Sequence, residues 1–100
     1  MIEINGKQFD WDNNKNMINI NKHGISFKEA ATVFSDTNAI EIDDVDHSQY
    51  EDRFLIIGKS RKLRLLVVCH CYRENNEVIR IISARKAANE EIEIYGGDEI

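Results

Sequence analysis

The chain has 100 residues, of which 42% are hydrophobic and 31% charged, and its formal net charge is −5. That length makes one domain over 1–100, and the composition excludes a disordered or fibrous chain. The acidic balance excludes a protein held to nucleic acid by a general positive field, and no apolar run approaches the ~20 residues that cross a bilayer.

The opening residues alternate and turn at Asn5-Gly6, which predicts a hairpin with strands near 2–4 and 8–10. Asp12 is placed to cap a helix running to about Lys22, with Gly24 just past its end. Ser26-Phe27-Lys28-Glu29 reads as a capping box, flanked by Ile25 and Ala30 as a hydrophobic staple. Phe27, Ala30, Ala31 and Phe34 then make the apolar face of a second helix ending near Phe34.

Four extended runs follow, at 39–42, 53–58, 63–72 and 77–84. The third is apolar at both parities, which predicts a central strand covered on both faces. Asn75-Asn76 joins the last two as an antiparallel hairpin. A last helix over 86–95 places Ala88, Ile92 and Tyr95 on one side and stops at Gly96-Gly97. The expected fold is therefore α+β: a small antiparallel sheet with two N-terminal helices and one C-terminal helix packed on it.

A core of this size leaves room only for a shallow cleft, which suits an extended polymer better than an enclosed small ligand. Cys69-His70-Cys71 lies in a strand, so both thiols face one way and the imidazole the other, and the three cannot converge on one metal. The thiols read as reduced and buried. The acidic run Glu41, Asp43, Asp44, Asp46 lacks the glycine and glutamate spacing of a calcium loop and reads as a solvated connection. No secretion signal opens the chain, and the expected localisation is cytoplasmic.

Lys15, Asn19 and Lys22 fall at helical spacing as an exposed polar stripe, with His23 at the helix end. In His47-Ser48-Gln49-Tyr50-Glu51-Asp52-Arg53, Glu51 and Arg53 project to one side of an extended entry, a base beside a phosphate clamp. Arg64, Arg80 and Arg85 add planar donors suited to phosphate oxygens. Arg80 interrupts an apolar run and needs an anionic partner, which is either a carboxylate such as Glu51 or a phosphate.

Several segments together resemble the BrnT family of bacterial toxin–antitoxin systems. They are Phe9-Asp10-Trp11-Asp12 with Lys15, Lys22-His23-Gly24-Ile25-Ser26-Phe27-Lys28-Glu29-Ala30, Phe34 with Asp36, and Asp46-His47-Ser48 with Glu51-Asp52-Arg53-Phe54. Gly58-Lys59-Ser60, the strand around 65–68 and Arg80-Ile81-Ile82-Ser83-Ala84-Arg85-Lys86-Ala87 complete a likeness that covers about 9–95. The resemblance implies a RelE-like fold and an RNA-cleaving toxin. It also implies a BrnA-like ribbon-helix-helix antitoxin as partner, operator DNA reached only through that antitoxin, and no membrane association.

RNA carries its own nucleophile, the 2′-hydroxyl, so a nuclease without metal or cofactor needs a base, an acid and cations for the charged phosphorane. Glu51, His23 and His47 are the candidates for base and acid. Arg53, Arg64, Arg80 and Arg85 are candidates for contacts to the reacting phosphate, and Lys15, Lys22, Lys59 and Lys86 for contacts to the substrate. Two alternatives stay open: a catalytically inert binding domain, and an interferase that cuts messenger RNA only on the ribosome.

Overall fold

The computed structural model describes residues 1–49 and 51–96. Tyr50 and the expected helix stop at Gly97 lie outside the described residues. Strands β1 (Ile2–Ile4) and β2 (Lys7–Asp10) form the expected hairpin. Its turn works because Asn5 and Gly6 both take positive φ, at 52° and 78°, as a two-residue hairpin of matching twist requires.

Helix α1 (Asn13–His23) starts where Asp12 accepts the Lys15 N–H at 3.0 Å and ends at left-handed Gly24. Helix α2 (Phe27–Thr32) starts at Ser26, whose hydroxyl accepts the Glu29 N–H at 3.0 Å, and passes into a 3₁₀ turn over Val33–Ser35. The capping box is only half made. The Glu29 carboxylate turns inward to Ser60 and Arg64, because a buried carboxylate gains more from a cation than from one backbone N–H.

Strands β3 (Ile40–Asp43), β4 (Phe54–Lys59), β5 (Leu65–Arg73) and β6 (Val78–Lys86) form a meander, and α3 (Asn89–Tyr95) follows it. Among the described residues the sheet has six strands in the order β1-β2-β6-β5-β4-β3. It is mixed, not the small antiparallel sheet expected: β2 pairs with β6 in parallel, joining Gln8 to Val78 and Asp10 to Arg80. Helices α1 and α2 carry the chain away from β2, and the meander returns with its last strand beside it.

Helices α1 and α2 pack on one face over Phe9, Phe27, Ala30, Ile56, Leu66, Val68, Ile79, Ile81 and Ala84. The C-terminal helix covers part of the opposite face, where Tyr95 meets Ile57 and Val67. Strand β5 lies between β4 and β6 and is buried from Leu66 to Cys71, as a strand apolar at both parities should be. Below Arg80, β6 has no β2 neighbour, and Asn19 of α1 serves its open edge. The Asn19 amide accepts from Ala84 N–H at 3.1 Å and donates to the Ala84 and Ile25 carbonyls, each at 2.9 Å. Asn19 is therefore buried, and the polar stripe expected on α1 is reduced to exposed Lys15 and Lys22. No described helix is long and apolar enough to cross a membrane.

Candidate active site

The register along β6 decides which arginines share a face. Arg80 and Arg85 are five apart, and strict alternation would point them to opposite sides. The β5–β6 ladder shifts between Cys69, opposite Ser83, and His70, opposite Ile81, so Ile82 is an extra residue on β6. The bulge re-phases the strand. Ile79, Ile81 and Ala84 all reach the helix-side core, and Arg80 and Arg85 both fall on the other face, opposite Cys71 and Val67.

That second face gathers several of the charged candidates. Arg73, at the end of β5, lies 3.2 Å from Glu51 Oε2, and Arg53 Nε lies 3.6 Å from Glu51 Oε1. Arg53 Nε is buried and has no hydrogen-bond partner among the described residues. The Cys71 thiol feels Glu51, Arg73 and Arg53 together, while Cys69 feels Asp44 and Arg53. Burial pushes the Cys69 thiol up to about 12, with Asp44 adding to the rise. Both cysteines are thus buried thiols beneath the charged groups, and His70 faces the helix side, as the alternation predicts.

Asp44 and His47 form a second pair on this side. Buried Asp44 sits 3.1 Å from His47 Nδ1, which fixes that nitrogen as the N–H and turns Nε2 of the exposed ring outward. His47, Glu51 and Arg53 line one cleft of about 320 Å³, with Asp46 and Gln49 at its rim. Glu51 is also part of the wall of a larger cleft of about 590 Å³.

Two further arginines edge this face, each with a carboxylate. Arg80 Nη1 donates to Asp10 Oδ2 at 2.6 Å, so its strand-register neighbour, not Glu51, supplies the anionic partner. Arg85 grips Glu91 in a bidentate pair at 2.9 and 3.1 Å, and this hydrogen bonding holds the Glu91 carboxyl below its ordinary value. From Arg85, opposite Val67, to Arg73 the guanidinium line follows six steps of β5, roughly 20 Å at ~3.3 Å per residue.

The other candidates sit elsewhere. Arg64 donates through Nε to Glu29 Oε2 at 2.9 Å and through Nη2 to Glu29 Oε1 and to the Gly24 carbonyl. It is bound into the helix layer and clamps α2 to β5. His23 closes α1 beside that junction, so His47 and not His23 is brought to Glu51 and Arg53. Lys59 and Lys86 pair with Leu65 and Leu66, at the end of the sheet away from Arg73, and Lys15 and Lys22 lie on the exposed side of α1. Arg73, Asp10, Asp44 and Glu91 are the residues that sequence reasoning missed. Arg73 could have been found by parity, since it shares a strand face with Cys69 and Cys71.

Comparison with known proteins gives the family and the fold. The family described as the ribonuclease toxin BrnT of type II toxin–antitoxin systems matches residues 11–91. The crystal structure of the Brucella abortus ribonuclease toxin BrnT is similar to this chain, with a TM-score of 0.62 and 25% sequence identity, covering 83% of this chain and 99% of that one. No curated protein matches the sequence.

Proposed function

The chain belongs to the BrnT family of ribonuclease toxins of type II toxin–antitoxin systems, and from that premise we propose that it cuts RNA without a metal, by attack of the 2′-hydroxyl on the adjacent phosphate. The observation that carries this reading is the group formed by His47, Glu51, Arg53 and Arg73 on the sheet face opposite α1 and α2, with Arg80 and Arg85 alongside.

Glu51, held between the Arg53 and Arg73 guanidiniums, is the base that accepts the 2′-proton. His47, oriented through Nδ1 by Asp44, returns a proton from Nε2 to the departing 5′-oxygen. Arg53 and Arg73 meet the charge that develops on the phosphorane. Arg80 and Arg85 hold flanking phosphates by exchanging Asp10 and Glu91 for phosphate oxygens. The products are a 2′,3′-cyclic phosphate and a 5′-hydroxyl.

Self-pairing with carboxylates accounts for how an acidic protein carries such a face: each of these arginines already has an acidic neighbour. As partner we propose a BrnA-like ribbon-helix-helix antitoxin that covers this face, and through it the complex contacts operator DNA. The test is incubation of the purified chain with a folded RNA in EDTA, followed by end-group analysis. Fragments ending in cyclic phosphate are expected. Intact RNA with folded, antitoxin-free protein would refute the proposal, and cutting only when ribosomes are added would make the enzyme ribosome-dependent.

A further inference from the structure

The larger cleft, about 590 Å³, is not used by the chemistry above, yet it shares Glu51 with it. Its lining joins two aromatic rings, Phe54 and Tyr72, to the carboxylates of Glu41 and Asp52 and the amide of Asn76. The rings stand 5.5 Å apart at 61°, so they form a bent apolar wall rather than a closed stack. Glu41 is held rigidly: its Oε2 lies 2.8 Å from His70 Nε2 and accepts from the Tyr72 hydroxyl. His70 is itself fully buried, with Nδ1 on the Val68 carbonyl at 3.0 Å. With Oε2 engaged by His70 and Tyr72, Oε1 of this fixed carboxylate keeps acceptor capacity and a defined direction.

We propose that this cleft is a guanine-binding subsite for the nucleotide on the 5′ side of the cut, an inference that rests on the ribonuclease reading. A cleft edged by aromatic rings takes a nucleobase by stacking, which every base can do. Carboxylates then choose among the bases because they only accept hydrogen bonds. Guanine alone presents two adjacent donors on its Watson–Crick edge, the N1–H and the N2 amino group, which call for two acceptors side by side, here the open Oε1 of Glu41 and the carboxylate of Asp52 in the same lining. Adenine and cytosine set an acceptor beside their amino donor, and uracil sets two carbonyls beside its single N–H.

Glu51 stands between the two clefts, so a base seated against Glu41 leaves its 3′-phosphate toward Arg53 and Arg73. Those two guanidiniums argue against a basic peptide as the occupant, since they repel a second cation and attract a phosphate.

The test is isothermal titration of the intact protein with 3′-GMP, 3′-AMP, 3′-CMP and 3′-UMP. The expected result is 3′-GMP binding about tenfold tighter than each of the others, the scale of one bidentate base contact. Glu41→Gln should reduce that preference to less than threefold, because the amide puts an N–H₂ against the guanine donors. Equal binding of the four nucleotides would overturn the inference, and this readout needs no variant. A guanine preference unchanged by Glu41→Gln, or an arginine-rich peptide bound in place of all four nucleotides, would overturn it too. RNA cleavage with no preference after guanosine would reject the subsite and leave the ribonuclease reading standing. A guanine preference without any RNA cleavage would do the reverse.

Discussion

Arg64→Ala separates a structural arginine from a catalytic one. The Glu29 side chain is 4% exposed and that of Arg64 30%, and between them run two hydrogen bonds, with Ser60 Oγ donating to the same carboxylate at 2.7 Å. Removing the guanidinium leaves a buried carboxylate with one hydroxyl donor. Breaking a fully buried pair costs about 3–5 kcal/mol; partial exposure of Arg64 and the surviving Ser60 bond reduce that to about 2–3 kcal/mol. In a domain of this size that is a fall in Tm of roughly 10–20 °C.

The pH dependence gives a second signature. Hydrogen bonding from Arg64 holds the Glu29 carboxyl below its ordinary value of 4.5 against the upward pull of burial. A carboxyl lowered in the folded state contributes stability above the unfolded value, and that contribution is lost as pH falls through the folded one. In the variant burial, which acts in the opposite sense, is opposed only by the Ser60 hydrogen bond and the charge of Lys62. The gap in stability between wild type and Arg64→Ala should therefore narrow from pH 7 to pH 4, read from urea midpoints at each pH. Cleavage under folding conditions should change little. A variant of wild-type stability that no longer cuts RNA would refute this reasoning and return Arg64 to the active site.

Other substitutions test the frame that presents the site. Asn19→Ala strips hydrogen bonds from Ala84 N–H and from the Ala84 and Ile25 carbonyls, and should cost about 2–3 kcal/mol in urea unfolding. Gly58→Ala would place a Cβ 2.9 Å from the Ala39 Cβ and 3.0 Å from Val33, and should lower stability by about 1–3 kcal/mol, measured by thermal melting. With its thiol pushed up to about 12, Cys69 should resist alkylation at pH 8 in the folded protein and react once it is unfolded in urea.

The local signals were legible because each is settled by neighbouring residues. Asn5-Gly6 dictates its turn, Asp12 and Ser26 cap their helices by bonds to N–H groups three residues on, and the two-sided apolar run of β5 marks a central strand. What stayed hidden depends on partners far along the chain. Asp10 meets Arg80 across 70 residues, which makes the sheet mixed and gives Arg80 its carboxylate. Glu29 has the sequence pattern of a capping residue, yet Arg64, 35 residues away, competes for it and wins. The Ile82 bulge leaves no local signature, since a run of isoleucines fits either phase, and without it Arg80 and Arg85 would not share a face. Asp44 read as one charge in a solvated run; only the fold turns it under His47.

The most direct test of the central claim, that catalysis sits on the sheet face opposite α1 and α2, is cleavage by Arg53→Ala and Arg73→Ala in EDTA under single-turnover conditions, with circular dichroism confirming the fold. The account predicts a loss of about 10²–10³ in rate for each, the scale of one preorganised charge donor. Folded variants that cut RNA at the wild-type rate would contradict it.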